Sequence, residues 1–211
     1  MKTFEIITEA DARVLAVGDT VMLARGGHIT PLAQDTLKER RITLVREGHA
    51  TADEASLAPK ADVRSLAIAS DHTGIKLRQT LVAFLRGRGL AVQDLGTDSA
   101  EPVDYPDVAA SVATAVARGE ADAGVVIDGA GIGSAIAANK VRGIRAAMAT
   151  SETIARYSRE HNGANVLTLG STLLTPDEAK AIVATWITTP MREPRYIRRL
   201  AKIRDLERRQ S

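Results

Sequence analysis

From Leu66 to Thr188 short apolar runs alternate with helix-patterned stretches, and this alternation limits the possible folds more than any other feature of the chain. LAIAS (66–70), LAVQDLG (90–96), AGVVID (123–128), IRAAMAT (144–150) and ANVLTLG (164–170) read as strands. Between them, 75–89 carries Leu77, Leu81, Phe84 and Leu85 at helical spacing, and 107–118, 133–140 and 152–161 read as helices. A last helix over 176–188 has Pro176 at its start and Pro190 just past its end. The pattern predicts an α/β fold, a Rossmann-like parallel five-stranded sheet with helices on both faces. Such sheets bind ligands beyond the carboxyl ends of their strands. Asp71, His72, Asp128 and Gly129 fall at those ends.

Composition narrows the chemistry. Aromatic residues are only 3% of the chain, so the core must be built from Ala, Val, Leu and Ile. There is no cysteine, which excludes disulfides, thiol nucleophiles and cysteine metal sites and fits a cytoplasmic protein. No apolar run approaches the ~20 residues of a membrane span, so no membrane partner is expected. No His/Asp/Glu group has metal-ligand spacing, and no metal is expected. The formal net charge of +2 hides a basic tail: residues 191–211 hold eight Lys/Arg against three Asp/Glu. That tail reads either as a solvated helix or as a grip for an anion. Nucleic acid is disfavoured as its partner, because no aromatic residues are interleaved with the charges.

Residues 1–46 read as a separate small α+β appendage. Thr8-Glu-Ala-Asp11 is a capping signal for a short helix, VGDTVMLARGG reads as strand and turn, Thr30-Pro31 starts a second helix, and ITLV (42–45) is a strand. The polar, Ala-rich stretch 47–64 suits a linker, 65–190 is the main domain, and 191–211 is the basic C-terminal helix.

The densest motif is VVIDGAGIGSAIAANK (125–140). A buried strand ends in a carboxylate, Asp128, and a turn rich in glycine (Gly129, Gly131, Gly133) leads into a helix. Glycines let successive N–H groups point at one spot, and the helix adds its positive end. A potential base thus sits beside a cradle for a negative oxygen, which is the equipment for moving a proton next to a carbonyl. GAGIGS approaches the dinucleotide fingerprint, but Ser134 stands at its third glycine and the turn follows the third strand, not the first. No Gly-Lys-Ser/Thr follows, which excludes a P-loop. Asp71-His72 gains interest from its place after the first strand. His161-Asn162 reads equally as a helix C-cap, and Arg195 and Arg199 share a helix face that is equally a surface.

SDHTG (70–74), VDYPD (103–107), GAGIGSAIAANKVRGIRAA (129–147), SREHNGANVLTLG (158–170) and the R-x-x-x-R of Arg195 and Arg199 resemble, in order, the type B ribose-5-phosphate isomerase family, which includes the subunits of galactose-6-phosphate isomerase. The resemblance covers about residues 66–204. It implies a cofactor-free aldose–ketose isomerase of sugar phosphates, most often ribose 5-phosphate, working as a homodimer or dimer of dimers with active sites shared between subunits. It further implies that His161, with Asp71 nearby, assists ring opening, and that His72, Arg195 and Arg199 hold the phosphate, the arginines from the neighbouring subunit. Asn162 would bind a substrate oxygen and Tyr105 would line the pocket. Gly129, Gly131 and Gly133 would present N–H groups to the enediolate.

The chain departs from that pattern. Asp128 stands where many members carry a catalytic Cys, and Ser134 where others carry a Glu base. Ala130 replaces a frequent Thr, and Thr172 replaces an Arg. Asp128 is accordingly expected to be the base. The alternatives are an isomerase of a tetrose, deoxy- or hexose phosphate, or an inactive sugar-phosphate-binding subunit. Residues 1–46 resemble short segments attached to some bacterial microcompartment enzymes, which implies docking in an assembly with a microcompartment or enzyme partner; the alternative is a unit that packs on the sheet or extends the oligomer.

Overall fold

The computed structural model describes residues 2–46 and 55–209. It divides into two units, Met1–Ser56 and Leu57–Ser211. Of the segment expected as a linker, residues 47–54 lie outside the described residues.

In the first unit the order is β1 (Thr3–Ile7), α1 (Glu9–Val14), β2 (Thr20–Ile29), α2 (Pro31–Glu39) and β3 (Thr43–Arg46). Thr8 caps α1 in a reciprocal box with Asp11, and Thr30 caps α2 with Pro31 in its first turn. Such caps satisfy amides the helix cannot, each worth about 1 kcal/mol. The strands lie in the order β1-β2-β3, both pairs parallel, so the appendage is a regular α/β unit in place of the looser α+β arrangement expected. Ile7, Leu15, Val21, Leu23 and Leu37 form its core. Two features depart from the sequence reading. The strand β1 was not anticipated, because TFEII places only one fully buried residue, Ile7, on the core face. The glycine pair does not end β2: the strand passes through Gly26, whose φ is +80°, as an irregularity between Phe4 and Ile6 of its partner.

The second unit contains β4 (Ser65–Ser70), α3 (Ile75–Gly87), β5 (Ala91–Asp94), α4 (Tyr105–Ala117), β6 (Ala123–Asp128), α5 (Ile132–Ala138), β7 (Ala146–Met148), α6 (Glu152–Glu160), β8 (Val166–Gly170), α7 (Pro176–Thr188) and α8 (Pro194–Arg208). Its five strands lie in the order β5-β4-β6-β8-β7 and are parallel throughout. All five expected strands and the helices between them are present. The order of strands reverses between β4 and β6, whose carboxyl ends carry Asp71 and Asp128. Every residue of β6 is buried, as a strand covered on both faces requires. One core layer packs Leu66, Ile68, Leu81, Leu85, Leu167 and Trp186 together; the other packs Ala67, Ala69, Val112, Val126 and Ile144. Among the described residues no helix is long and apolar enough to cross a membrane.

Buried charges pin the loops around this sheet. Arg159, fully buried, lies 4.7 Å over the Trp186 ring and donates to the carbonyls of Ala164 (2.7 Å) and Lys60 (2.9 Å). Burial, aided by the nearby charge of Arg145 and opposed by Asp122, pushes its guanidinium down to about 10. Arg145 donates to the Leu57 carbonyl at 2.9 Å, and Lys60 pairs with Asp122. Residues 57 and 60, inside the stretch expected as a linker, are thus bonded to this unit. Arg78, 1% exposed, pairs with Asp94 (3.3 Å) and Asp98, holding the loop that leads toward Tyr105.

Candidate active site

At the carboxyl edge, β4 ends in Ser70-Asp71 and the chain turns at once into α3. One oxygen of Asp71 accepts the Thr73 amide (2.9 Å), the Thr73 hydroxyl (2.6 Å) and the Gly74 amide (3.2 Å), so the carboxylate ties the loop that carries His72. His72 is exposed, and its Nδ1 accepts the Val103 amide at 3.4 Å, joining this loop to the one before Tyr105. The Tyr105 ring lies over Gly133: a Cβ there would come within 2.6 Å of the ring, so only glycine lets tyrosine close on the turn. Thr73 Oγ1 is 3.3 Å from Ser171 Oγ, and Thr172 Oγ1 donates to the Gly129 carbonyl at 2.6 Å. Asp71, His72, Tyr105, Asp128 and the turn 129–134 are therefore one cluster around a single edge.

Asp128 is 4% exposed, and its carboxylate is held by its own turn. Oδ1 accepts the amides of Ala130 (2.8 Å) and Gly131; Oδ2 accepts the amide (3.0 Å) and the hydroxyl of Ser134. Gly131 has φ +78°, a conformation that glycine adopts without strain and that swings its N–H onto the carboxylate. The sequence reading aimed the turn's amides at a substrate oxyanion. The structure directs the Gly131 amide, with those of Ala130 and Ser134, at Asp128 instead, because the acid is the nearest anion to the helix start.

The remaining expected residues form a second cluster. His161 follows α6 and stacks on Tyr157 (4.7 Å between ring centroids, 16°), with Tyr196 against it at 4.6 Å. Arg195 and Arg199 lie 4.8 and 5.5 Å from the Tyr196 ring centroid, and Arg195 also donates to the Tyr196 hydroxyl at 3.0 Å. Both arginine side chains are exposed. Asn162 donates to the Tyr157 carbonyl (3.2 Å) and lines a cavity of about 360 Å³ with Arg145, Glu207 and Leu206.

These clusters lie at opposite edges of the sheet. α6 starts after the carboxyl end of β7 and runs back, so His161 reaches the amino edge. There Arg145 Nε donates to the Gly163 carbonyl, and Gly124, at the start of β6, donates to the Asn165 carbonyl. From Gly124 to Asp128 a strand covers about 13 Å. The structure does not bring His161 near Asp71 within one chain, contrary to the sequence reading, because a crossover helix in a parallel sheet returns its C-terminus to the far edge.

Tyr157, Tyr196, Thr73 and Ser171 escaped the sequence reading. A signal for two of them existed: the chain has only three tyrosines, and all three lie in these clusters.

A family model described as Ribose/Galactose Isomerase matches residues 66–203. Ribose-5-phosphate isomerase B of Escherichia coli (strain K12) is 42% identical over 149 residues, covering 71% of this chain and 100% of that protein. D-erythrulose-4-phosphate isomerase of Pectobacterium atrosepticum is 40% identical over 124 residues, covering 58% of this chain and 82% of the other. The solved structure of Clostridium thermocellum ribose-5-phosphate isomerase B superposes with a TM-score of 0.68 at 47% identity, covering 70% of this chain and 99% of that one.

Proposed function

The chain belongs to the ribose/galactose isomerase family, and from that premise we propose that it converts ribose 5-phosphate to ribulose 5-phosphate through a cis-enediolate, with Asp128 as the base. The observation that carries the assignment is the carboxyl-edge cluster, in which Asp71, His72, Tyr105 and Asp128 are gathered at the reversal of strand order. In the first step His161 assists opening of the sugar ring. Asp128 then takes the proton from C2: the C2–H electron pair forms the C1–C2 double bond, and the carbonyl pair moves to the C1 oxygen. The proton held on Asp128 returns to C1 as the C2 hydroxyl oxygen becomes the new carbonyl, and the proton that this hydroxyl gives up passes to the C1 oxygen, which becomes the new hydroxyl. His72, Arg195 and Arg199 hold the phosphate, since guanidinium forks and imidazole are suited to its oxygens.

Because one chain carries the two halves at opposite edges, the working site takes its arginines and His161 from a second copy of the chain. The active form is thus a homodimer or a dimer of dimers. A weaker grip is expected where Thr172 stands in for an arginine, which leaves Arg195 and Arg199 as the main phosphate contacts.

The test is a panel of aldose and ketose phosphates assayed on the purified protein, together with exchange of the C2 proton into water. Ribose 5-phosphate should be isomerised fastest, with exchange. Asp128→Asn should lower kcat by about 10²–10⁴, the usual worth of a general base. An unchanged kcat would remove Asp128 from the mechanism; binding without any proton exchange would make the protein a sugar-phosphate-binding subunit.

A further inference from the structure

Asp128 accepts four hydrogen bonds, two on each oxygen, and so has a donor at every lone-pair position of its carboxylate. An acid surrounded in this way cannot take a proton until one donor leaves. Three of the four are main-chain amides of Ala130, Gly131 and Ser134, fixed by the turn and by the first residues of α5. They cannot withdraw without dismantling the strand–turn–helix junction, where Gly131 sits at φ +78° and a Cβ would meet the backbone of Leu169 at 3.0 Å and of Gly170 at 3.1 Å. The fourth donor is the Ser134 hydroxyl, which is free to rotate about its Cβ–Oγ bond.

We infer that Ser134 is the positioning residue for Asp128: its hydroxyl donates to Oδ2 while the carboxylate is charged, and turns to accept from Oδ2 while the acid carries the substrate proton. The inference rests on Asp128 being the base. A hydroxyl is the one partner in this shell that can do both, because it has a donor and two acceptor lone pairs where an amide N–H has only a donor. Its rotation is a fast side-chain motion that needs no rearrangement of the backbone. Ser134 is fully buried, so water does not compete for the hydroxyl, and its own amide on Oδ2 keeps that oxygen in place while the hydroxyl moves. The proton is conserved through the cycle. It leaves C2 for Oδ2, rests there in a hydrogen bond to Ser134 Oγ, and returns to C1; Ser134 itself neither gains nor loses one.

The experiment compares Ser134→Ala, Ser134→Thr and Ser134→Cys in the full chain. S134A should lower kcat about tenfold to a hundredfold with KM near the wild-type value, since Ser134 is fully buried and offers a substrate no surface, and misplacement of a reacting group costs on this scale. The isotope effect with substrate deuterated at C2 should grow, because proton transfer becomes the slower step. S134T, which restores a hydroxyl, should recover most of kcat. S134C, close in volume but a weak donor, should behave like S134A and replaces it if the alanine variant does not fold. Wild-type kcat and isotope effect in both S134A and S134C, beside a dead D128N, would overturn the role of Ser134 while leaving Asp128 as base. An active D128N would instead overturn the reading on which this inference rests.

Discussion

The two edges of the five-stranded sheet are held by different forces. At the carboxyl edge the chemistry is anionic and the restraint is the backbone: Asp71 and Asp128 are each caught by amides of the turn that follows their strand. Main-chain donors there are set by φ and ψ, so the carboxylates are placed as rigidly as the strands themselves. At the amino edge the chemistry is cationic and the restraint is aromatic: His161 is sandwiched between Tyr157 and Tyr196, and Arg195 and Arg199 flank the second ring. Stacking of this kind orients a plane but leaves the guanidinium groups exposed on the surface. The rigid half suits proton transfer, where small displacements are expensive; the adaptable half suits a phosphate, which accepts donors from many directions.

The sharpest way to break this comparison is to divide it between chains. Asp128→Asn spoils the carboxyl edge, and the double variant Arg195→Ala/Arg199→Ala spoils the amino edge. Each alone should be nearly inactive, but co-expressed they should recover up to about a quarter of wild-type activity. Random pairing makes half the dimers mixed, and each mixed dimer has one intact site. Activity no greater than that of the two parents would show that the edges do not meet across subunits.

A smaller effect sharpens the assignment of roles. Arg199→Ala should raise KM for the sugar phosphate roughly tenfold to a hundredfold, the cost of a charged hydrogen bond of about 1.5–3 kcal/mol, with kcat much less affected. A fall in kcat at constant KM would put Arg199 in the chemistry and not in the phosphate grip.

The smallest effect concerns stability and separates two carboxylates at one strand. Asp122 immediately precedes β6, and Asp128 ends it. Burial alone would raise the Asp122 carboxyl, but bonds from Lys60, Arg64 and Ser65 outweigh it and hold the group well below the usual carboxylate range. A carboxyl pKa lowered in the folded state stabilises the fold above the unfolded value near 4, and that contribution is lost as pH falls toward the folded value. Asp122→Asn should therefore cost stability at pH 7, with the gap to wild type closing below about pH 4. Acid and thermal unfolding followed by circular dichroism would read it, and a gap that stayed constant down to pH 2 would contradict the assignment. Turnover per folded molecule should not change, because the partners of Asp122 are Lys60, Arg64 and Ser65, none of them assigned to the site.

The main domain was legible from its primary structure because its signals are local. Apolar runs of strand length, helical periodicity in 75–89 and Pro176 at a helix start each depend on neighbours in sequence, and all appear in the fold. The same holds for the placement of Asp71 and Asp128 at strand ends. β1 was hidden because a short strand with one fully buried residue carries little periodic signal, and the strand through Gly26 was read as a turn because glycine marks both turns and bulges.

What only the tertiary structure decided depends on direction and on donors distant in pattern. That His161 and Asp71 lie at opposite edges follows from the return path of α6, which no residue type announces. That the turn amides bind Asp128 before any substrate follows from Gly131 taking a positive φ beside a buried acid. Spacing along the chain put a carboxylate, a glycine turn and a serine in one segment; the fold joined them into a single hydrogen-bonded unit, because four donors converge on two oxygens only once the strand has ended and the helix has begun.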